Sequence, residues 1–281
     1  MKMRRALRTA WLVFVFGFLY LPIAVLVAFS FNESKSRAVF TGFTLKWYEN
    51  LFHNEMVLKS FGITMLLAFA AAIIATLVGT LAAIGIQGMG RRARGVVMAV
   101  SYVLVINPEI ITGVSLMLLF VVFRQGIESL TGTEWTFFGM GTLLIAHITF
   151  CLPYVIFNVG PKLRQLDPAL YDAALDLGCN PRQAFFKVVL PQLAPAILSA
   201  FLISLTYSID DFIISYFTSG NVPTLPIAIY SMTKKRVSPE INALSTILFV
   251  GILAIILASN AVDSSRERRL RRAARREEGR G

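Results

Sequence analysis

The chain has 281 residues, 56% of them hydrophobic, and a formal net charge of +11. Its mean hydropathy of +0.67 is too high for an ordinary soluble domain. The positive charge lies between and beyond the apolar segments, which argues against a nucleic-acid partner and for a membrane protein.

Six apolar runs follow one another. Trp11–Phe31, Phe61–Ile86 and Ile241–Val262 contain no charge. Val96–Phe123 contains only Glu109, Phe138–Val159 only His147, and Leu193–Phe217 only Asp210 and Asp211. A bilayer crossing needs roughly 20 apolar residues. In lipid each backbone polar group must be bonded internally, so these runs are helices. The sequence therefore predicts an all-α polytopic membrane protein with six transmembrane helices. The first run follows Lys2, Arg4, Arg5 and Arg8, as a secretory signal would. It is too long for one, and no small-x-small cleavage site follows, so it is read as a retained helix.

Sorted by loop, 19 of the 27 Lys and Arg fall on one side and 8 on the other. The positive-inside rule then puts both termini in the cytoplasm of a bacterial inner membrane. This gives a cytoplasmic N-terminus (1–9), a six-helix domain (10–262) and an Arg-rich cytoplasmic tail (263–281), expected to be disordered. The tail fixes topology or touches anionic membrane lipid, and the first reading is preferred. The outer loop 32–60 carries Phe40, Phe43, Trp47, Tyr48 and Phe52, which suit packing on the membrane surface. Asn32-Glu33-Ser34 matches a glycosylation sequon and receives little weight. Cys151 and Cys179 share no motif, and no disulfide is expected. Gly85 with Gly88, or Gly139 with Gly141, are candidate helix-packing glycines.

There is no Gly-x-x-x-x-Gly-Lys, no His-Glu-x-x-His and no Cys-x-x-Cys. No metal, cofactor or catalytic set is evident, so the chain is not expected to be an enzyme. Helix lengths show no inverted repeat, which weakens a secondary-transporter reading.

Segment 160–192 is the longest inner connection, and its punctuation is informative. Asp167 can cap a helix starting at Pro168 and running to about Leu177, where Gly178 supplies a stop. Asn180 can cap a second helix, with Pro181 first, Gln183 at the capping-box position and Pro191 as its end. Ala173, Ala174 and Leu177 share one side of the first helix, and the second shows Phe185, Val188 and Val189. On periodicity alone, this hairpin either rests on lipid or docks a protein partner.

At these residues the chain resembles the ABC-importer permeases of binding-protein-dependent systems. Asp172-Ala173-Ala174-Leu175-Asp176-Leu177-Gly178, followed by Leu190-Pro191, is similar to their EAA loop, with Asp172 at the glutamate position. The resemblance implies a type I permease fold and a coupling segment at about 163–191. It implies docking on an ATPase through Asp172, Ala173, Ala174, Leu177, Gly178, Leu190 and Pro191. The implied partners are a homologous permease, two ATPase subunits that hold ATP and magnesium, and a periplasmic or lipid-anchored binding protein.

Glu109, Asp210 and Asp211 are costly at membrane depth, by about 3 kcal/mol each on insertion scales, and such groups usually line a pathway. At 1.5 Å per residue Glu109 lies about 20 Å in and Asp210 about 25 Å in, so the three share one level. No Lys or Arg falls within the six runs to neutralise them, which argues for a cationic passenger. On one continuous helix Asp210 and Asp211 point about 100° apart, so at most one faces the pathway squarely. Tyr207 and Phe212 flank them and offer ring faces to an ammonium, or are ordinary packing. His147 either pairs with a carboxylate or forms a hydrogen-bonded helix–helix contact, and the second is favoured.

Ser208-Ile209-Asp210-Asp211-Phe212, Leu225-Pro226-Ile227-Ala228-Ile229-Tyr230-Ser231-Met232 and Val237-Ser238-Pro239-Glu240-Ile241-Asn242-Ala243 look like the second permease subunits of spermidine/putrescine importers. That resemblance implies a polyamine passenger, held by Glu109, Asp210 and Asp211 with Tyr207 and Phe212. Two alternatives stay open. One is an importer permease for another cationic or amino solute. The other is a stand-alone cation- or proton-coupled carrier, which the docking hairpin disfavours.

Overall fold

The computed structural model describes residues 2–35, 39–133, 137–235, 239–254 and 257. The Arg-rich tail and the end of the sixth apolar run lie outside the described residues. The described residues are almost wholly helical: α1 (Lys2–Ser30), α2 (Lys46–His53), α3 (Glu55–Gln87), α4 (Arg91–Ile106), α5 (Glu109–Thr131), α6 (Met140–Gln165), α7 (Pro168–Asp176), α8 (Pro181–Ala184), a π turn (Phe185–Val189), α9 (Leu190–Asp210), α10 (Ile213–Thr218), α11 (Leu225–Lys235) and α12 (Pro239–Ala254). Five stretches are long and apolar enough to cross a membrane: Leu7–Ser30, Glu55–Gln87, Glu109–Thr131, Met140–Gln165 and Pro181–Asp210. The predicted sixth helix is described only as the shorter α12. This is a multi-pass membrane protein.

The chain divides into two compact units, each described by itself. One comprises Met1–Leu58 with Ser231–Gly281. In it α1 exposes large apolar side chains on every side, among them Trp11, Phe14, Phe18 and Tyr20. Such a helix is stable only in an apolar medium or against a partner. The loop after α1 is organised by Asn32, which is fully buried. Its amide donates to the Val39 carbonyl at 2.9 Å, its Oδ1 accepts the Thr41 N–H at 2.9 Å, and its own carbonyl accepts the Trp47 indole N–H at 2.6 Å. The sequon nitrogen is thus consumed inside the loop. Phe31 stacks on Phe43, while Trp47 is buried and Phe40, Phe43 and Phe52 stay exposed.

The other unit is Lys59–Tyr230. Its centre is α6, packed on α9 and flanked by α4, α5 and α10. Ala75, Ala83, Phe120, Ala146, Phe150, Cys151, Val155, Val159, Ala200 and Ile214 form the core. Small residues let the helices approach closely. Gly79 is one such place, where an added Cβ would lie 2.7 Å from the Val155 side chain. The glycines suggested by the sequence do not serve this purpose. A Cβ at Gly85, Gly139 or Gly141 would meet nothing, and one at Gly88 only a carbonyl of its own turn at 3.6 Å.

Two apolar runs that read as single helices are broken. Val96–Phe123 divides between α4 and α5 at Asn107 and Pro108, both extended at ψ 137° and 134°. The residue before a proline is pushed out of the helical region, and Pro108 has no N–H to continue the ladder. Glu109 therefore starts α5 instead of lying mid-span. Because α5 continues to Thr131, it also takes in Arg124, paired with Glu128 at 3.5 Å. The expectation of spans free of Lys and Arg is corrected at that end. Leu193–Phe217 divides between α9 and α10 at Asp211.

Candidate functional site

The site is built around the second break. Asp210 is the last residue of α9, and Asp211 has an extended backbone (φ −63°, ψ 114°). The two carboxylates are therefore not 100° apart on one helix, as a continuous helix would place them. Asp211 is buried, and its Oδ1 and Oδ2 accept the N–H groups of Ile214 and Ser215 at 3.2 and 2.8 Å. It satisfies backbone donors that the start of α10 leaves without helical partners. Asp210 is instead exposed.

His147 on α6 faces the same break at 1% exposure. Its Nδ1 lies 2.7 Å from Ser208 Oγ, and its Nε2 lies 3.0 Å from Ser215 Oγ and 3.5 Å from Asp211 Oδ2. Both readings of His147 left by the sequence are present together: it makes a helix–helix contact and stands beside a carboxylate.

Around this point Glu109 is exposed at the start of α5, its carboxyl within electrostatic range of those of Asp210 and Asp211. The Tyr154 and Tyr207 rings are 4.6 Å apart, and Phe150 joins them edge-on, 6.1 Å from Tyr207. The Tyr154 hydroxyl is also within electrostatic reach of Glu109. Beyond the break, Phe212 packs on Tyr230 at 4.8 Å and on Tyr216 at 5.5 Å. The structure thus groups Glu109, Asp210 and Tyr207 as exposed, polar and aromatic neighbours. Asp211 turns inward, and Phe212 belongs to a separate aromatic group. Tyr154 was not singled out in the sequence, although His147, Phe150, Cys151 and Tyr154 share one helical face by spacing. Likewise Ser204, Ser208, Asp211 and Ser215 recur at helical spacing.

The second site is the hairpin of α7 and α8. Asp167 accepts the Ala169 N–H at 2.9 Å. Asn180 and Gln183 cap one another reciprocally at 2.9 and 3.2 Å. Gly178 has φ +88°, a conformation only glycine adopts without strain. The Cys179 N–H returns to the Ala174 carbonyl at 3.0 Å and closes the corner. Both caps and the glycine stop lie where the sequence predicts them. The shared face of Ala173, Ala174 and Leu177 divides: Ala174 is buried, Ala173 is exposed, and Leu177 is 87% exposed. Asp172 and Asp176 are exposed. Pro191 does not end the second helix. The π turn lets the Leu190 N–H reach the Phe185 carbonyl, and the chain enters α9 with Pro191 in its first turn. There a missing N–H costs little.

A sequence profile described as "Binding-protein-dependent transport system inner membrane component" matches residues 75–272. The chain belongs to this family. As its inner-membrane component, the chain is a permease and not the subunit that hydrolyses nucleotide. The permease is 37% identical to the spermidine/putrescine transport system permease protein PotC of Haemophilus influenzae, over 91% of this chain and 96% of that protein. It is also 37% identical to the putrescine transport system permease protein PotI of Escherichia coli, over 95% and 97%. Among solved structures it resembles a chain of a bacterial ABC transporter involved in import of the acidic polysaccharide alginate. The TM-score is 0.70 at 17% identity, covering 93% of this permease and 98% of that chain. A chain of the MetNI methionine transporter matches at TM-score 0.57 and 17% identity, over 76% and 96%. At such identities these structures establish the fold alone. Their different cargoes show that this fold does not choose the passenger.

Proposed function

We propose that this permease carries polyamines, spermidine or putrescine, across the inner membrane as one subunit of an ATP-driven importer. The observation that supports the substrate class is the exposed pair Glu109 and Asp210 beside the Tyr154–Tyr207 ring pair. A polyamine is a flexible methylene chain bearing ammonium groups. Carboxylates hold the ammonium ends, and ring faces attract both the ammonium and the adjoining methylenes. In this reading Asp210 and Glu109 make direct contact, and Tyr207 forms a wall. Asp211 lends its charge from behind and fixes the backbone, and Phe212 supplies a second aromatic surface with Tyr216 and Tyr230. The relatives named as polyamine permeases agree with this choice.

The hairpin serves as the docking element for the ATPase. Asp172, Ala173, Leu177 and the Gly178 corner meet the partner, with Ala174 supporting them from beneath. Leu190 and Pro191 begin α9 just beyond the hairpin. A homologous permease completes the pathway, two ATPase subunits hold ATP and magnesium, and a periplasmic or lipid-anchored binding protein delivers the passenger. This chain holds no cofactor of its own. The excess of Lys and Arg on one set of loops orients both termini to the cytoplasm. Nucleotide and passenger drive the cycle only by preferring different states of the permease pair.

The test is uptake of labelled spermidine and putrescine by cells lacking other polyamine uptake and carrying the complete operon. Asp210→Asn with Asp211→Asn is expected to impair uptake while the complex still assembles. Gly178→Asp is expected to remove the ATPase from the purified complex or uncouple it. Normal uptake by the double Asn variant would overturn the site assignment. Normal uptake and ATPase recovery with Gly178→Asp would overturn the docking assignment.

A further inference from the structure

The imidazole of His147 takes no part in holding a cation in the proposed function, yet it touches every part of the α9–α10 break. Nδ1 meets Ser208 on α9, Nε2 meets Ser215 on α10, and Asp211 Oδ2 lies between them. The hydrogen bonds run in a consistent direction. The Asp211 carboxylate can only accept, and it takes two backbone N–H groups. Its Oδ2 also lies 3.5 Å from Nε2, which fits a proton on that nitrogen, donated toward Ser215 Oγ. Nδ1 then accepts the Ser208 O–H. The Nε2–H tautomer of the imidazole thus bonds both serines beside the carboxylate.

The break needs such a device. Residues 193–217 form one apolar run, with no proline or glycine between Pro195 and Gly220. Left to local preference, α9 would continue through Asp211 and Phe212. Its interruption comes from side chains: Asp211 caps α10, and His147 ties the cap to both helices from α6. On the other side Gly113 of α5 lets α10 approach, since a Cβ there would lie 3.1 Å from the Phe217 ring. Where α9 ends decides where Asp210 points.

We propose that His147 is a positioning residue for the cation pathway: it staples Ser208, Ser215 and Asp211 so that α9 stops at Asp210 and presents that carboxylate. The pathway role of Asp210 rests on the proposed function; the staple itself does not.

The test uses the assembled importer with Cys151→Ser and Cys179→Ser, so that Asp210→Cys reports alone to a cationic methanethiosulfonate reagent. Adding His147→Leu is expected to slow labelling about tenfold, the scale of one buried hydrogen bond, with Ser208→Ala and Ser215→Ala in between. In the chain with Asp210 intact, amide exchange over residues 211–215 is expected to quicken by about the same factor in these variants. Unchanged exchange and unchanged labelling in all three variants would overturn the proposal. If His147→Leu does not assemble, the two serine variants decide it by the same readings. The pathway role of Asp210 is read separately: normal polyamine uptake by Asp210→Asn would refute that role alone, and the exchange measurement would then decide the staple.

Discussion

Two of the places where the permease interrupts its helices, at Gly178 and at Asp211, are held in opposite ways. At Asp211 the break is buried and fixed by side chains from α6, α9 and α10, with backbone donors satisfied by a carboxylate. At Gly178 the break is exposed and fixed by local means, a left-handed glycine and two helix caps. The inner break leaves its capping polar atoms paired. The outer one leaves Leu177 87% exposed and Asp172 without burial. A buried, self-satisfied break holds a fixed geometry whatever surrounds the chain. An exposed corner with an apolar tip is shaped for something that covers it.

Changes at the inner break should therefore cost stability with or without partner subunits, and changes at the hairpin should tell mainly in the complex. The largest effect is expected from Asp211→Ala. It strands two buried N–H groups and should destabilise the chain by about 3 kcal/mol. A thermal midpoint unchanged in both the isolated permease and the complex would break the comparison. Gly178→Asp forces a Cβ into the left-handed region at about 1–2 kcal/mol. Its fingerprint should be loss of co-purifying ATPase with the midpoint of the permease alone barely moved. A large fall in that midpoint would mean that the corner is part of the folded core. Asp210→Asn keeps shape and removes charge at an exposed position, so stability should hold while polyamine uptake falls about tenfold, near 1.4 kcal/mol. Equal losses of stability from Asp210→Asn and Asp211→Asn would erase the distinction between the outward and inward carboxylates. The smallest effect is expected from Asn180→Ala, which removes one capping box worth about 1 kcal/mol. A modest drop in ATP hydrolysis coupled to uptake, with the complex intact, would place the cap in support of the docking surface.

The sequence read the hairpin well because its signals are local. Asp167, Asn180, Gln183 and Gly178 each act on backbone groups within a few residues, and the structure puts each where its chemistry predicts. Composition determined the class just as directly, since long apolar runs have one stable form in lipid. Local reasoning failed where the deciding contact came from elsewhere in the chain. Pro108 stood in plain view, yet apolar continuity concealed that it ends α4. Pro191 looked like a stop, but the π turn absorbs its missing N–H. Nothing near Asp211 in sequence announces a break. His147 lies 61 residues from Ser208 and 68 from Ser215, and only the packing of α6 on α9 and α10 brings them together. The sequence alone thus determined a multi-pass permease, its capped hairpin and its three acidic residues in apolar runs. Which of those residues faces outward was decided by tertiary structure, because a new helix starts where its first buried donors find an acceptor, and here the Asp211 carboxylate that accepts them is held in place from another helix.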